Sequence, residues 1–208
     1  ARLQVLFVSP YPIFPPHHGG AVLMSQTLRY LTRYCDVHLV VMLEEESERQ
    51  AHLAQSAQFA SMHLMVRPPS PASNRLGLTP KAVREFDSTH LRRLVQCLVY
   101  EKRIDVLLLE FTNMAQYGDR YDRVLTALFE HDVYFQSIGR QLRAGGPAGK
   151  AKALLEYLRS LRFELNALDN VDYIQVCTVD NSRYLASFSP HLQQRIDPSL
   201  RAGIEVSS

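Results

Sequence analysis

Short, almost wholly apolar runs recur along the chain and alternate with longer segments whose apolar residues follow helical spacing. Runs that are apolar at nearly every position are typical of strands buried on both faces, as in parallel sheets. Strands that alternate with helices indicate βαβ units. The sequence therefore predicts an α/β fold: a doubly wound, Rossmann-like parallel sheet in three layers. The clearest strand-like runs are Leu3 to Val8, Asp36 to Leu43, Met62 to Val66, Ile104 to Leu109 and Tyr173 to Val176.

The segments between these runs predict helices and loops. Helices are predicted from Ala21 onward, over Glu44 to Gln58, from the end of a loop at Pro80 to about Lys102, over Ala151 to Leu168, and over Ser182 to Phe188. Proline and glycine predict an exposed loop over Pro68 to Pro80 and a flexible connection over Gly139 to Gly149. Val124 to Phe129 fits a strand better than a short helix, and Gly203 to Ser208 resembles the beginning of another strand.

Composition narrows the class of protein. A chain of 208 residues with 46% hydrophobic and 21% charged residues can bury the core of one domain. A formal net charge of +2 provides no strong field for nucleic acid, which we do not expect as a partner. Cys35, Cys97 and Cys177 lack metal-ligand spacing, so we expect a reduced, cytoplasmic protein without a metal or other cofactor. No run approaches the roughly 20 apolar residues of a membrane span, and no signal peptide is expected.

The strand ends indicate where a ligand would bind. In open parallel sheets, ligands occupy the crevice beyond the carboxyl ends of the strands. Three polar or glycine-containing segments follow predicted strands: Pro10 to Gly20, Glu110 to Asn113, and Glu130 to Asp132. We expect these three segments to face one crevice.

Four stretches carry a resemblance to a known family. They are VLFVSPYPIFPPHHGGAVLMSQTLRYLTRYCDVHLVV (residues 5–41), IDVLLLEF (104–111), FEHDV (129–133) and DNVDYIQVCTVDNSRYL (169–185). In this order and spacing they resemble the N-terminal domain of retaining GT-B glycosyltransferases of the large family-four group. The resemblance covers nearly the whole chain.

The resemblance implies a two-domain enzyme that transfers a sugar from a nucleotide-sugar to a saccharide or lipid-linked acceptor, in cell-surface polysaccharide or glycolipid synthesis. Residues 1–208 would form the acceptor-side Rossmann-like domain, with the donor-binding domain absent, so the isolated domain would be inactive. An alternative is a non-catalytic Rossmann-like module that binds a nucleotide or a glycan. A third is a flavodoxin-like or receiver-type domain, but a receiver would need clustered acids where Ser9 and Pro10 stand.

Candidate site residues follow from both lines of reasoning. Gly19 and Gly20 precede a helix whose free N–H groups would bind a diphosphate, as the resemblance also implies; the alternative is a simple tight turn. His131, with Asp132, would contact the donor sugar or the leaving phosphate, unless it is a structural histidine. Glu110 would orient the acceptor hydroxyl or act as a base, unless it is a solvated strand end. Tyr11 would stack on the acceptor or cover the edge of the core, and Asn113 would contact substrate.

A basic segment follows these residues. It contains Arg140, Arg143, Lys150, Lys152, Arg159 and Arg162. This pattern suits contact with anionic lipid headgroups or a phosphorylated acceptor, with the protein peripheral at the inner face of the membrane; the alternative is an ordinary solvated helix face. His17 and His18 lack further ligands at suitable spacing, so no metal is expected there.

Overall fold

The structure is a computed structural model that describes residues 2–69, 77–144 and 147–198. Within these residues, seven parallel strands form one sheet in the order β3-β2-β1-β4-β5-β6-β7. The strands are β1 (Leu3–Ser9), β2 (Cys35–Leu43), β3 (Ser61–Val66), β4 (Val106–Glu110), β5 (Leu125–Glu130), β6 (Tyr173–Val176) and β7 (Ile196–Asp197). The predicted α/β class and parallel sheet are confirmed.

Helices connect the strands. The α-helices are α1 (Gly19–Tyr34), α2 (Arg49–Leu53), α3 (Lys81–Arg84), α4 (Thr89–Glu101), α5 (Tyr134–Ala144), α6 (Pro147–Asp169) and α7 (Val179–Phe188). Short 3₁₀ segments cover Glu46–Glu48, Ser56–Gln58, Thr112–Tyr117 and Pro190–Arg195. Ser88 and Thr178 begin α4 and α7 by accepting a backbone N–H with the side-chain oxygen, as N-cap residues do.

The core lies on both faces of the sheet because successive residues of a strand point in opposite directions. Leu6 and Val8 of β1 pack in one apolar cluster, which also holds Val95 of α4. Val5 and Phe7 face the opposite cluster. That second cluster is covered by α1, through residues such as Met24 and Leu28. The result is the predicted three-layer arrangement, and it explains why these strands are apolar at nearly every position.

The strand order reverses between β1 and β4. The chain moves from β1 outward through β2 to β3, then returns to place β4 on the other side of β1. At such a reversal the connections from neighbouring strands leave toward opposite faces, which opens a crevice at the carboxyl edge. The loops after β1 and β4 therefore border the crevice, as expected from the sequence.

The prediction of a flexible connection over Gly139 to Gly149 is wrong within the described residues. Residues up to Ala144 belong to α5, and α6 already begins at Pro147. Gly139 is part of the helix packing: a Cβ at this position would lie 3.2 Å from the Tyr157 ring of α6. The glycine therefore allows α5 and α6 to approach closely rather than breaking the helix.

Other predicted boundaries also shift. The helix predicted up to about Lys102 is divided into α3 and α4, because Ser88 caps a new helix start. The acidic segment from Glu44 to Gln58 is split into α2 and two 3₁₀ turns, whereas β5 confirms the strand predicted over Val124 to Phe129. The short strand β7 was not predicted, and the strand expected over Gly203 to Ser208 lies outside the described residues, as does most of the loop from Pro68 to Pro80.

Among the helices in the described part of the chain, none has the length and apolar character needed to cross a bilayer.

Candidate functional site

A cavity of about 690 Å³ lies at the carboxyl edge of the sheet, across the reversal between β1 and β4. Its wall comes from the loops after β1, β2, β4, β5 and β6 and from the start of α1. The lining residues are Tyr11, His18, Gly19, Gly20, Leu23, Glu44, Phe111, His131, Asp132 and Cys177. The expected convergence of three loops is therefore present, with two further loops added.

Phe111 forms the centre of this wall. Its backbone has φ 67° and ψ 147°, a region that bulky residues avoid at a cost of about 1–3 kcal/mol. Its N–H donates to the carbonyl of Phe129, 2.9 Å away, which ties it to β5. The ring stacks on His131 with centroids 3.8 Å apart and an interplanar angle of 8°, and meets Tyr11 edge-on at 5.0 Å. The wall is thus a rigid aromatic surface suited to stacking against a ring-shaped ligand.

His131 and Glu110 form a hydrogen-bonded pair at the base of the cavity. Nε2 of His131 lies 2.7 Å from Oε2 of Glu110, and the two side chains are 7% and 2% exposed. A carboxylate at Nε2 holds the proton on that nitrogen and fixes the ring orientation. Nδ1 of His131 is then the ring nitrogen left to exchange a proton or a hydrogen bond with a ligand. A histidine held in this way is suited to general acid–base chemistry.

This geometry revises the prediction for Glu110. The prediction placed its carboxylate against the acceptor hydroxyl or left it as a solvated strand end, but the side chain is buried beneath His131 and does not line the cavity. The reason is that β4 has a buried position at Glu110, and Phe111 turns over it. Glu110 therefore acts on the cavity through His131.

The start of α1 reaches the cavity through His18, Gly19 and Gly20. Nδ1 of His18 accepts the N–H of Ala21 at 3.2 Å and so caps the helix. The N–H groups of Gly19 and Gly20 are among the first of the helix, which lack intrahelical acceptors. A Cβ on Gly20 would lie 3.1 Å from Cζ of Phe111, whereas a Cβ on Gly19 would meet nothing within 4 Å. The absence of a side chain at Gly20 therefore leaves room for the Phe111 ring beside the start of α1.

Of three other predicted residues, two line the cavity and one lies in a pocket next to it. Asp132 is exposed and lines the cavity together with Tyr11. Tyr11 also packs against Phe86 of the core, as the interpretation that it covers the core edge requires; stacking on an acceptor stays a prediction. Asn113 lies instead in a smaller adjoining pocket of about 210 Å³, which shares Tyr11, Phe111 and Asp132 with the cavity.

Cys177 also reaches the cavity, from the loop after β6. Its thiol lies 3.1 Å from the carbonyl oxygen of His131, to which it donates. Burial raises the pKa of the Cys177 thiol, and the nearby carboxyl groups of Asp132 and Glu110 raise it further. The thiol stays protonated at neutral pH and is a poor nucleophile.

A buried histidine that sequence reasoning missed holds the proline-rich loop in place. Nε2 of His52 accepts the N–H groups of Ile13 at 2.9 Å and Phe14 at 3.2 Å, while Nδ1 donates to the carbonyl of Glu48 at 2.9 Å. Burial lowers the pKa of His52, so the neutral ring, which accepts both hydrogen bonds, persists to a lower pH than in an ordinary histidine. The surrounding sequence is acidic and polar, and gave no sign that this histidine would be buried.

A second missed feature is a buried carboxyl pair directly behind the cavity, Glu130 of β5 and Glu164 of α6. The Glu164 oxygens accept the N–H groups of Tyr134 and Phe135, each at 3.0 Å, and so cap α5. Thr112 donates to Oε1 of Glu130 at 2.6 Å, whereas Oε2 has no such donor among the described residues, and the two carboxyl groups are hydrogen-bonded to each other. Burial raises the pKa of both carboxyls, and that of Glu164 is raised further by Glu130, so the pair retains a proton.

The basic segment is distributed over α5 and α6. Arg140, Lys150 and Lys152 are exposed. Arg143 belongs to α5, but its side chain lies outside the described atoms. Arg159 pairs with Glu156 at 3.5 Å. Three leucines on the same stretch of α6 are also exposed: Leu154 by 46%, Leu155 by 47% and Leu158 by 51%. Exposed basic and exposed apolar side chains therefore both occur on α6.

The chain matches known proteins in fold rather than in sequence. No protein-family model matches the chain, and no curated protein matches it. Among solved structures, a UDP-glucosyltransferase from Polygonum tinctorium capable of glucosylating indoxyl and 3,4-dichloroaniline has a TM-score of 0.53 and 13% identity, over 99% of this chain and 54% of that one. A UGT transferase from Siraitia grosvenorii in complex with UDP has a TM-score of 0.51 and 13% identity, over 96% and 52%.

The chain thus spans about half the length of the glycosyltransferases that it matches. At this level of identity the match concerns the fold alone. The chain has the Rossmann-like α/β fold found over about half of these glycosyltransferases.

Proposed function

We propose that this chain is the acceptor-side domain of a GT-B glycosyltransferase, which transfers a sugar from a nucleotide-sugar donor to a saccharide or lipid-linked acceptor. The observation that carries the proposal is the His131–Glu110 pair at the base of the aromatic cavity, at the strand-order reversal. The fold shared with a UDP-glucosyltransferase and with a transferase solved with UDP supports the same reaction class.

In this proposal the two ends of the cavity have different tasks. The N–H groups of Gly19 and Gly20, at the positive end of the α1 dipole, would hold the donor diphosphate. His131 would contact the donor sugar or the leaving phosphate through Nδ1. Glu110 is a positioning residue, because it would act on the reacting atoms through its hydrogen bond to His131.

The cavity would need a second lobe to function. It lies open at the edge of the sheet, and the chain spans about half the length of the matched glycosyltransferases. We therefore propose that a donor-binding domain closes the cavity in the full-length enzyme and excludes water from the reaction. The isolated domain would bind nucleotide-sugar weakly and would not transfer sugar.

Retention of anomeric configuration and membership of family four are parts of the proposal that rest on the sequence resemblance. In the wall of the cavity, the Cys177 thiol stays protonated and is a poor nucleophile. The anomeric signal of the product, followed by proton NMR from the first turnovers, decides between retention and inversion.

Contact with a membrane surface is a further part of the proposal. The exposed leucines of α6 would enter the headgroup region, while Lys150 and Lys152 would meet anionic lipids. Such a surface would bring the cavity close to a lipid-linked acceptor in cell-surface polysaccharide or glycolipid synthesis.

The test uses the full-length enzyme. His131→Ala should lower kcat by about 100-fold or more, the usual contribution of a positioned acid–base group, without a change in thermal unfolding. Glu110→Gln should lower kcat less and shift the pH–rate profile, because the amide holds the ring without its charge. His90→Ala, at an exposed position in the first turn of α4, is the matched control and should leave kcat unchanged.

An unchanged rate in His131→Ala would remove the His131–Glu110 pair from the mechanism. Binding of nucleotide-sugar by the full-length protein without any transfer would instead favour the non-catalytic module.

A further inference from the structure

A second pocket, of about 210 Å³, lies beside the main cavity and shares three lining residues with it: Tyr11, Phe111 and Asp132. Its other side is formed by α3, by the 3₁₀ turn after Phe111, by the start of α5 and by α6. A single water occupies about 30 Å³ in the liquid, so the pocket has room for more than a few water molecules. Phe111 lines both pockets and stacks on His131, which lines the main cavity but not the second pocket.

Asn113 places a buried hydrogen-bond acceptor in the wall of this pocket. The residue is 9% exposed; its side chain is hydrogen-bonded to Tyr11, while its Oδ1 atom is buried without a hydrogen-bond partner among the described residues. A buried acceptor without a donor costs about 1–3 kcal/mol, so such an atom is unusual in a folded protein. A ligand hydroxyl or N–H placed in the pocket would supply the missing donor.

The other polar groups of the pocket are largely engaged within the protein. Ser160 donates to the carbonyl of Glu156, Thr112 donates to Glu130, and the Glu164 oxygens accept two backbone N–H groups. Asp132 is exposed and presents a carboxylate. Oδ1 of Asn113 and the carboxylate of Asp132 remain as acceptors for a ligand donor, and the hydroxyl groups of Tyr11 and Tyr134 line the same pocket.

The charge and shape of the wall narrow the ligand class further. No lysine or arginine lines the pocket among the described residues, while the exposed carboxylate of Asp132 does; the other carboxyl residue, Glu164, belongs to the buried pair that retains a proton. A phosphate or carboxylate group would be repelled there. Val83, Phe111 and Phe163 supply apolar surface of the kind that packs against the face of a sugar ring.

We infer that this pocket is a binding subsite for an uncharged, hydroxyl-bearing ring of the acceptor, recognised through Oδ1 of Asn113. The inference rests on the proposed function and gives it a substrate class: the part of the acceptor that enters this pocket is a neutral glycosyl group, and any phosphate of the acceptor stays outside.

The test is a binding experiment that needs no turnover. Methyl glucoside is titrated into the nitrogen-labelled chain and followed by the amide NMR signals, including those of the Asn113 side chain. Methyl glucuronide, which has the same ring with a carboxylate, and inorganic phosphate are the anionic probes. We expect methyl glucoside to shift the Asn113 side-chain signals, and neither anionic probe to do so.

Variants assign the effect to the pocket. Asn113→Leu should weaken the binding of methyl glucoside by about fivefold, the loss of one neutral hydrogen bond. Ala82→Trp places bulk in the pocket wall and should abolish the shifts; it also serves if Asn113→Leu does not fold. Asn166→Leu, an exposed asparagine of α6 outside this pocket, is the matched control and should bind like the wild type.

Three results would each overturn the inference: no binding of methyl glucoside at millimolar concentration, equal or stronger shifts from the anionic probes at Asn113, or unaltered affinity in both pocket variants. None of these results depends on His131 or on sugar transfer. A failure of the subsite is therefore distinct from a failure of the proposed function, which the kcat of His131→Ala decides.

Discussion

Replacement of Glu130 by glutamine tests whether the buried carboxyl pair retains a proton. Glutamine has the size of the protonated acid: its Oε1 atom can still accept the Thr112 hydroxyl, and its amide can donate to Glu164. In the wild type, the folded pair holds a proton that the unfolded chain releases above the ordinary carboxyl pKa of 4.5. Stability from this neutral carboxyl is therefore present at low pH and lost as pH rises toward the raised folded-state pKa.

The magnitude follows from linkage. For one extra proton held by the folded state, the free energy of unfolding falls by about 1.4 kcal/mol per pH unit within that window. Glu130→Gln cannot lose this proton. We therefore expect the free energy of unfolding of Glu130→Gln, minus that of the wild type, to rise with pH at about this slope and then level off.

Urea unfolding followed by circular dichroism at several pH values between about pH 5 and pH 8 measures this difference. The difference is used because buried histidines with lowered pKa values, His52 among them, titrate in the opposite direction and cancel between the two proteins. Glu101→Gln, an exposed carboxyl at the end of α4, is the control and should give a flat difference. A flat or falling difference for Glu130→Gln would refute the shared proton.

Two further predictions concern the cavity wall and the surface of α6. Gly20→Ala should lower kcat/KM of the full-length enzyme by about tenfold, since its Cβ would lie 3.1 Å from Phe111. Gly19→Ala is the control and should have little effect. Equal losses of kcat/KM in the two variants, measured by steady-state kinetics, would argue against the steric requirement. Leu158→Ser should lower the affinity of the chain for phosphatidylglycerol vesicles by about tenfold, measured by cosedimentation, as expected for loss of a partly buried leucine. Leu53→Ser, at a similarly exposed position, is the control and should leave the affinity unchanged. Equal sedimentation of the two variants would exclude α6 as the contact.

Much of the fold could be predicted from the sequence because both faces of the sheet are covered. A strand such as Leu3–Ser9 must then be apolar at consecutive positions, a pattern that an amphipathic helix does not show. The errors arose where tertiary contacts decide. In the sequence, Gly139 favours a break in the helix, whereas in the structure it packs against the ring of Tyr157; β7 contains two residues, too few to give a pattern.

The candidate site could be predicted in position but not in detail. The rule that ligands bind beyond parallel strand ends brought Gly20 and His131 together correctly. It did not show that Glu110 would be buried, since a glutamate at a strand end is usually solvated. The positive φ of Phe111 was also not predictable, because local sequence preferences disfavour it and only the surrounding packing maintains it.

The cavity wall takes residues from five connections that follow five different strands, from Tyr11 near the start of the chain to Cys177. Such a wall has no local precursor: its parts meet only when segments distant along the chain have paired across the whole sheet, and the entropy of closing those long loops has been overcome. Ligand affinity at this edge should therefore appear late in folding, together with the last strands to join, and no fragment that lacks β6 should retain it.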